Sequence, residues 1–289
     1  MYKRILTKVF YLSLLLVSVH ELFSQGSFLQ LPHAEVELYY EDKGMGQPII
    51  FISGWTMTSG FFSKQQAYFK DKYRVITYDP RSQGKSGKTL KGNTYGQHAL
   101  DLREMILSLD LSQVILVGWS SGCLTSFAYL EKFGTDRLSK IVCIDETPKW
   151  IGNPSTEWVY GTFDDYRSSV KGFLQDERDP EGIVDWMLKE PIDSEDKAWM
   201  LTEMKKTPDD AAFKLYLDGM IADYTPVLKE LNQDFPLLFM LREAWIGQGK
   251  AWLNEHVPGA ETLPISSHAM FWEKPGEFNG MLEGFLDRD

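Results

Sequence analysis

Val114-Ile115-Leu116-Val117-Gly118-Trp119-Ser120-Ser121-Gly122-Cys123-Leu124 joins an apolar run to a segment with helical spacing at Leu124, Phe127, Ala128 and Leu130. A serine with glycines two residues to either side, set between a buried strand and a helix, reads as a nucleophile elbow. The chemistry explains the glycines. The serine sits on a sharp, strained turn where flanking side chains would clash, and Gly118 and Gly122 remove them. The turn lifts the Ser120 hydroxyl above the sheet edge and points the first N–H groups of the helix at it.

Working outward, short apolar runs recur at residues 49–52, 75–78, 114–117, 141–144 and 237–241. Continuous runs of this length, without alternation, fit strands covered on both faces. Helix-spaced segments at 61–69, 95–109 and 124–133 separate the first four. This alternation predicts an α/β fold: a mostly parallel, doubly wound sheet with right-handed crossovers. Residues 36–41 alternate and predict an antiparallel edge strand, with Gly44 and Gly46 turning the chain into the next one.

Residues 146–235 break the rhythm. Helix-like pieces at 160–174, 181–189, 195–205 and 209–222 occur there with no buried strand, and Pro180 and Pro208 stand where helices begin. Trp150, Trp158, Trp186, Trp199, Met187, Met200, Met204 and Met220 concentrate in this insertion. They either pack its helices together or line an apolar, adaptable pocket.

The N-terminus has the order of a secretory signal peptide. Lys3, Arg4 and Lys8 precede an apolar run at 9–19 and a polar stretch at 20–25. The run is too short for a membrane helix, which needs about 20 residues. Residues 1–24 are therefore expected to be removed, and the mature chain to be secreted or periplasmic without stable membrane insertion. The chain carries 30 basic and 41 acidic residues; without Lys3, Arg4, Lys8 and Glu21 the counts are 27 and 40, a net charge of −13. Such a surface repels nucleic acid and anionic membranes. The five histidines are scattered with no metal-ligand spacing, and no metal or other cofactor is expected. Cys123 and Cys143 both fall inside regular elements and read as buried small hydrophobes rather than a disulfide.

A serine hydroxyl is a weak nucleophile at neutral pH and needs a base. His268 is the candidate. It follows a strand-like piece at 261–265 and the small residues Ser266-Ser267, which let a loop approach the elbow. Ala269-Met270-Phe271-Trp272-Glu273-Lys274-Pro275 comes next, then an amphipathic helix with Phe278, Met281, Leu282, Phe285 and Leu286. Upstream, the run at 49–52 ends in Ser53-Gly54-Trp55, and the run at 75–78 leads into Asp79-Pro80-Arg81-Ser82-Gln83-Gly84-Lys85-Ser86. Taken in this order, the segments resemble the α/β-hydrolase superfamily, in particular its esterase and non-haem haloperoxidase branches. The resemblance covers roughly residues 36–288.

The resemblance implies that residues 25–145 and 236–289 form the catalytic core and that 146–235 form a helical cap over the serine. It implies an oxyanion hole made by the backbone N–H groups of Ser121 and Trp55. Here Ser53-Gly54 stands where the family usually has His-Gly, which keeps the backbone donor and loses the histidine's contacts. The family's usual acid is an Asp after the post-cap strand. By spacing from Pro236 that position is Trp245. Two carboxylates are candidates instead. Asp145 ends the strand at 141–144, the place from which some branches of the superfamily take their acid. Glu243 is the alternative acid, two residues early on the post-cap strand end. Glu146 is expected to point away from Asp145's side of the chain. Asp79 and Arg81 read as braces of the elbow region.

These residues predict a serine hydrolase acting on small apolar esters or lactones, with Ser120, His268 and Asp145 as its triad. The alternative is a low-turnover ligand-binding or sensor protein of the same fold, which the missing Asp at 245 and the change at Ser53 motivate.

Overall fold

The computed structural model describes residues 26–33, 35–174 and 179–288. The expected signal peptide, residues 1–24, lies outside them. Eight strands form one sheet in the order β1-β2-β4-β3-β5-β6-β7-β8. They are β1 (Ser27–Gln30), β2 (Glu37–Lys43), β3 (Pro48–Ile52), β4 (Arg74–Tyr78), β5 (Val114–Trp119), β6 (Leu138–Ile144), β7 (Leu237–Arg242) and β8 (Glu261–Ile265). From β4 to β8 every pairing is parallel; β1 and β2 are antiparallel to their neighbours. Each apolar run of the sequence lies in a strand.

The stretch at 36–41 is antiparallel as expected, but it is not the edge. β1 pairs outside it, with Ser27 opposite Tyr40 and Gln30 opposite Glu37. Most of β1 is exposed, so it carries no buried apolar run to betray it. Gly44 and Gly46 take positive φ, at 83° and 113°, in the turn before β3.

Helices α1 (Ser63–Phe69), α2 (Tyr95–Ser108) and α3 (Ser121–Phe133) connect the central strands. Between β6 and β7 stand α4 (Phe163–Leu174), α5 (Pro180–Met187), α6 (Ser194–Met204), α7 (Asp209–Ile221) and the short α8 (Thr225–Lys229). Pro180 opens α5 as its first residue, where a missing N–H costs nothing, and Asp179 caps it. Pro208 sits one residue before α7. After β7 come α9 (Glu243–His256), then β8, α10 (Met270–Glu273) and α11 (Pro275–Leu286).

Side chains alternate across the sheet. Ile50, Ile52, Leu116, Cys143 and Phe239 face the layer holding Leu102, Leu124 and Phe127. Ile49, Phe51, Val117, Val142 and Leu238 face the opposite layer with Phe62, Phe69, Phe278 and Leu282. Strands β3 to β7 are therefore buried on both sides, which is why they read as unbroken apolar runs.

The chain leaves β3 for β4 on one side and returns to β5 on the other. The loops after β3 and β5 thus diverge at the carboxyl ends of adjacent strands, and open α/β sheets bind ligands in the crevice this leaves. Ile52 is in register with Gly118, Trp119 with Ile144, Ile144 with Met240, and Arg242 with Ile265. The ends of five parallel strands meet at this crevice. Helix α3 starts so close to the sheet that a side-chain carbon on Gly122 would stand 2.3 Å from Ile52 O. Gly122→Ala must push α3 off β3, an overpacking that costs about 1–3 kcal/mol or more. Urea denaturation is expected to show that loss, whereas unchanged stability would mean that α3 has room to move.

Candidate active site

Ser120 alone makes the turn from β5 into α3. Its φ of 53° and ψ of −133° place a non-glycine residue in a region that costs about 1–3 kcal/mol. Two backbone bonds hold it there: Ser120 N–H donates to Ile144 O at 2.8 Å, and Cys123 N–H donates to Ser120 O at 2.8 Å. A side-chain carbon on Gly118 would stand 2.7 Å from Cys123 N. One on Gly54 would reach Ser120 Cβ at 3.0 Å and its Oγ at 3.5 Å. The loop after β3 therefore lies directly against the serine and carries Trp55 beside it. Trp55 Nε1–H donates to Ala212 O of α7 at 2.8 Å, and Ser53 Oγ–H donates to Met57 O at 3.2 Å.

His268 lies on the loop between β8 and α10 and is buried. Its Nδ1 is 2.7 Å from Asp145 Oδ2. Trp119, the residue before the serine, donates its indole N–H to His268 O at 2.8 Å. The elbow strand and the histidine loop are thus bonded to each other one residue away from Ser120. On the other side, Ala269 N–H donates to Met187 O of α5 at 3.1 Å. The Glu273 carboxylate accepts from Ser267 Oγ–H and from the backbone N–H groups of Lys189 and Glu190, the last two at 2.8 and 2.7 Å.

Asp145 is the first residue past β6. Its φ of 52° turns its carboxylate under His268, and its side chain has no exposed surface. Asp145 N–H donates to Met240 O at 2.8 Å, and Asp145 Oδ1 accepts from Arg242 N–H at 3.0 Å. Arg242 Nε lies 2.9 Å from Asp145 Oδ2, the oxygen that also meets His268. The Arg242 guanidinium sits 4.4 Å over the Trp186 ring, whose centroid is 4.5 Å from that of His268. Burial pulls the His268 imidazole below its ordinary value; the Asp145 bond works against that pull, and the Arg242 charge adds to it.

The alternative acid stands elsewhere. Glu243 was expected on the strand end, but β7 stops at Arg242 and Glu243 is the exposed first residue of α9. A carboxylate in the first turn suits the helix dipole. Trp245 packs against Tyr160 at 4.6 Å and Trp158 at 6.2 Å between ring centroids. Glu146 is buried beside Tyr160, and burial pushes its carboxyl up to about 8. Asp79 accepts from the backbone N–H groups of Ser59 and Lys85, and Arg81 pairs with Asp101. Cys123 and Cys143 are free, buried thiols.

The tryptophans and methionines between β6 and β7 mostly pack. Trp150, Trp158, Met187, Met200, Met204 and Met220 are buried, and Trp199 stacks on Trp272. Trp186 is the exception, half exposed against His268. Sequence reasoning missed Arg242 and Glu273 as contributors. A charged residue closing five apolar ones was a signal that Arg242 reaches a partner at the strand end.

The sequence profile described as alpha/beta hydrolase fold matches residues 47–175. AB hydrolase superfamily protein YisY of Bacillus subtilis (strain 168) is 32% identical over 263 residues, covering 86% of this chain and 95% of that protein. The non-heme haloperoxidase of Rhodococcus erythropolis is 32% identical over 139 residues, 46% of this chain and 50% of its own. The matches span between 42% and 50% of the length of such haloperoxidase relatives. A bromoperoxidase structure from Bacillus anthracis superposes with a TM-score of 0.84 at 22% identity, over 91% of this chain and 100% of that one. The chain belongs to the α/β-hydrolase superfamily, among relatives that include non-heme haloperoxidases and esterases.

Glu146 gives the site a pH signature. Its carboxyl titrates near 4.5 when unfolded and near 8 when folded. Between those values the folded chain holds the extra proton, so this group's contribution to stability falls as pH rises. Glu146→Gln is expected to lose less melting temperature than the wild type between pH 5 and pH 8. Parallel melting curves for the two proteins across that range would show that the carboxyl is already ionised.

Proposed function

We propose that the protein is a serine hydrolase that cleaves carboxylic esters or lactones through an acyl-enzyme on Ser120. The observation that carries this reading is the buried 2.7 Å contact of His268 Nδ1 with Asp145, bonded through Trp119 to the elbow that presents Ser120. With Nδ1–H directed at Asp145, the neutral imidazole leaves Nε2 as its basic nitrogen. Nε2 takes the Ser120 hydroxyl proton as Oγ attacks the carbonyl carbon. The oxyanion that forms is met by the N–H groups of Ser121 and Trp55. The proton then passes from Nε2 to the leaving alcohol as the ester C–O bond breaks. Water, deprotonated by the same nitrogen, attacks the acyl-serine, and Ser120 recovers its proton as the acid departs. Asp145 accepts the Nδ1–H bond and stabilises the imidazolium. The low-turnover reading is motivated by the lack of Asp at 245 and by Ser53 in place of the family's usual His; Asp145 against His268 answers the first of these and leaves the second.

Ser120→Ala is expected to lower ester hydrolysis by up to about 10⁶-fold with the fold intact. Fluorophosphonate labelling of the Ala variant at the wild-type rate would exclude Ser120 as the nucleophile. Asp145→Asn is expected to cut kcat by up to about 10⁴-fold. Glu243→Gln, at the exposed first residue of α9, should cost roughly tenfold or less; the reverse ranking would move the acid to Glu243.

The residue that the aromatic packing leaves half open is Trp186, an apolar ring next to the base. Together with the net charge of −11, it favours neutral substrates with apolar acyl or aryl groups. Neutral aryl esters should therefore show a higher kcat/KM than the corresponding dicarboxylate half-esters. Equal values for the two series would sink this substrate assignment while leaving the triad untouched.

A further inference from the structure

Arg242 occupies an unusual place. Its backbone N–H donates to Oδ1 of Asp145 at 3.0 Å, while its buried Nε lies 2.9 Å from Oδ2 as an ion pair without a hydrogen bond. That second oxygen is the one His268 uses. The guanidinium is only partly exposed and is covered on one face by Trp186. A fixed positive charge this close to a buried carboxylate is weakly screened.

The surrounding groups leave Arg242 and Asp145 as the charges that act on the imidazole. Glu146, next to Asp145, is kept protonated by burial to about 8. The Cys123 and Cys143 thiols and the Tyr160 hydroxyl are raised by burial. On the histidine's own loop, Glu273 is bonded to Ser267 and to the backbone of Lys189 and Glu190. On α5, Asp185 pairs with Lys197 at 2.6 Å.

We propose that Arg242 is a positioning residue of the triad: its backbone N–H fixes the carboxylate, and its guanidinium, lying against the Asp145 oxygen that holds His268, offsets the carboxylate's charge, so that the imidazole stays neutral and works as a base at lower pH than an unpaired Asp–His couple would allow. This rests on the triad reading above, with His268 as the base. Arg242 touches no reacting atom; it acts only through Asp145. The expected effect follows from the sign of its charge. A guanidinium disfavours a second positive charge on His268, so neutralising residue 242 makes the imidazole more basic. The acidic limb of kcat/KM, which follows the neutral imidazole, must then move to higher pH.

The test compares wild type, Arg242→Gln and Arg242→Lys in pH profiles of kcat/KM on a neutral aryl ester, each normalised to its own plateau. For Arg242→Gln the acidic limb should rise by about one pH unit, about a tenfold lower relative rate at pH values well down that limb. Arg242→Lys, which keeps the charge, should lie between Gln and wild type. A uniform loss at every pH, with the limb unmoved, would reduce Arg242 to packing and overturn the proposal. A limb that moves to lower pH would do the same. The second readout is an NMR titration of His268 in the Ser120→Ala background, which needs no turnover and thus separates this proposal from the hydrolase reading. There the imidazole should titrate at or below its ordinary value of about 6.5 with Arg242 present, and higher with Gln. If Arg242→Gln does not fold, the Arg-containing protein alone decides: a titration above about 7.5 overturns the proposal.

Discussion

A carboxylate with no exposed surface is the constraint on which this site depends. Taking an ion of that kind out of water costs several kcal/mol unless its oxygens find partners. Asp145 finds them on two different neighbours: Arg242, closing β7, and His268, on the loop beyond β8. The ends of β6, β7 and β8 must therefore stand in one register. The parallel pairings that set Ile144 beside Met240 and Arg242 beside Ile265 supply it. The His268 ring is fixed in orientation because the carboxylate beneath it cannot turn away without losing bonds on both oxygens.

Strain lies next to that constraint. Ser120 and Asp145 follow adjacent strands, and both take positive φ, at 53° and 52°. Each such residue costs about 1–3 kcal/mol unless its surroundings over-determine it. The surroundings here are the two apolar layers on either face of the sheet and the bond from Ser120 N–H to Ile144 O, which links the two bends directly. The geometry that exposes a hydroxyl and the geometry that hides a carboxylate are thus stabilised by the same strand pair.

What the sequence disclosed followed from how local each requirement is. The elbow was legible because glycines at 118 and 122 answer to atoms within a few residues or on the adjoining strand. Five of the six parallel strands were legible because burial on both faces leaves an unbroken apolar run; β8, largely uncovered, showed only as a strand-like piece before His268. β1 was not, since it is short and mostly exposed and is held by backbone pairing. The candidate acids were narrowed to two residues with Asp145 preferred, and the end of β7 at Arg242 and the start of α9 at Glu243 leave Asp145, not Glu243, bonded to His268. Arg242 and Glu273 escaped notice because their partners are distant in the chain, 97 residues from Arg242 to Asp145 and 84 from Glu273 to Lys189. Backbone donors and carboxylate oxygens at such separations leave no periodic trace.

The Glu273 carboxylate also bears on how such a chain can be re-engineered. One oxygen takes the hydroxyl of Ser267, beside the base, and the other takes two backbone N–H groups just past α5. Ala269 bonds to the end of the same helix. The helices between β6 and β7 are consequently not an interchangeable module. Grafting in another such insertion to alter the substrate would also remove the scaffold under the histidine loop. A chimera would need a replacement that presents two free N–H groups to Glu273 and a carbonyl to Ala269. The length and composition of the graft would matter less than the geometry of those three backbone groups.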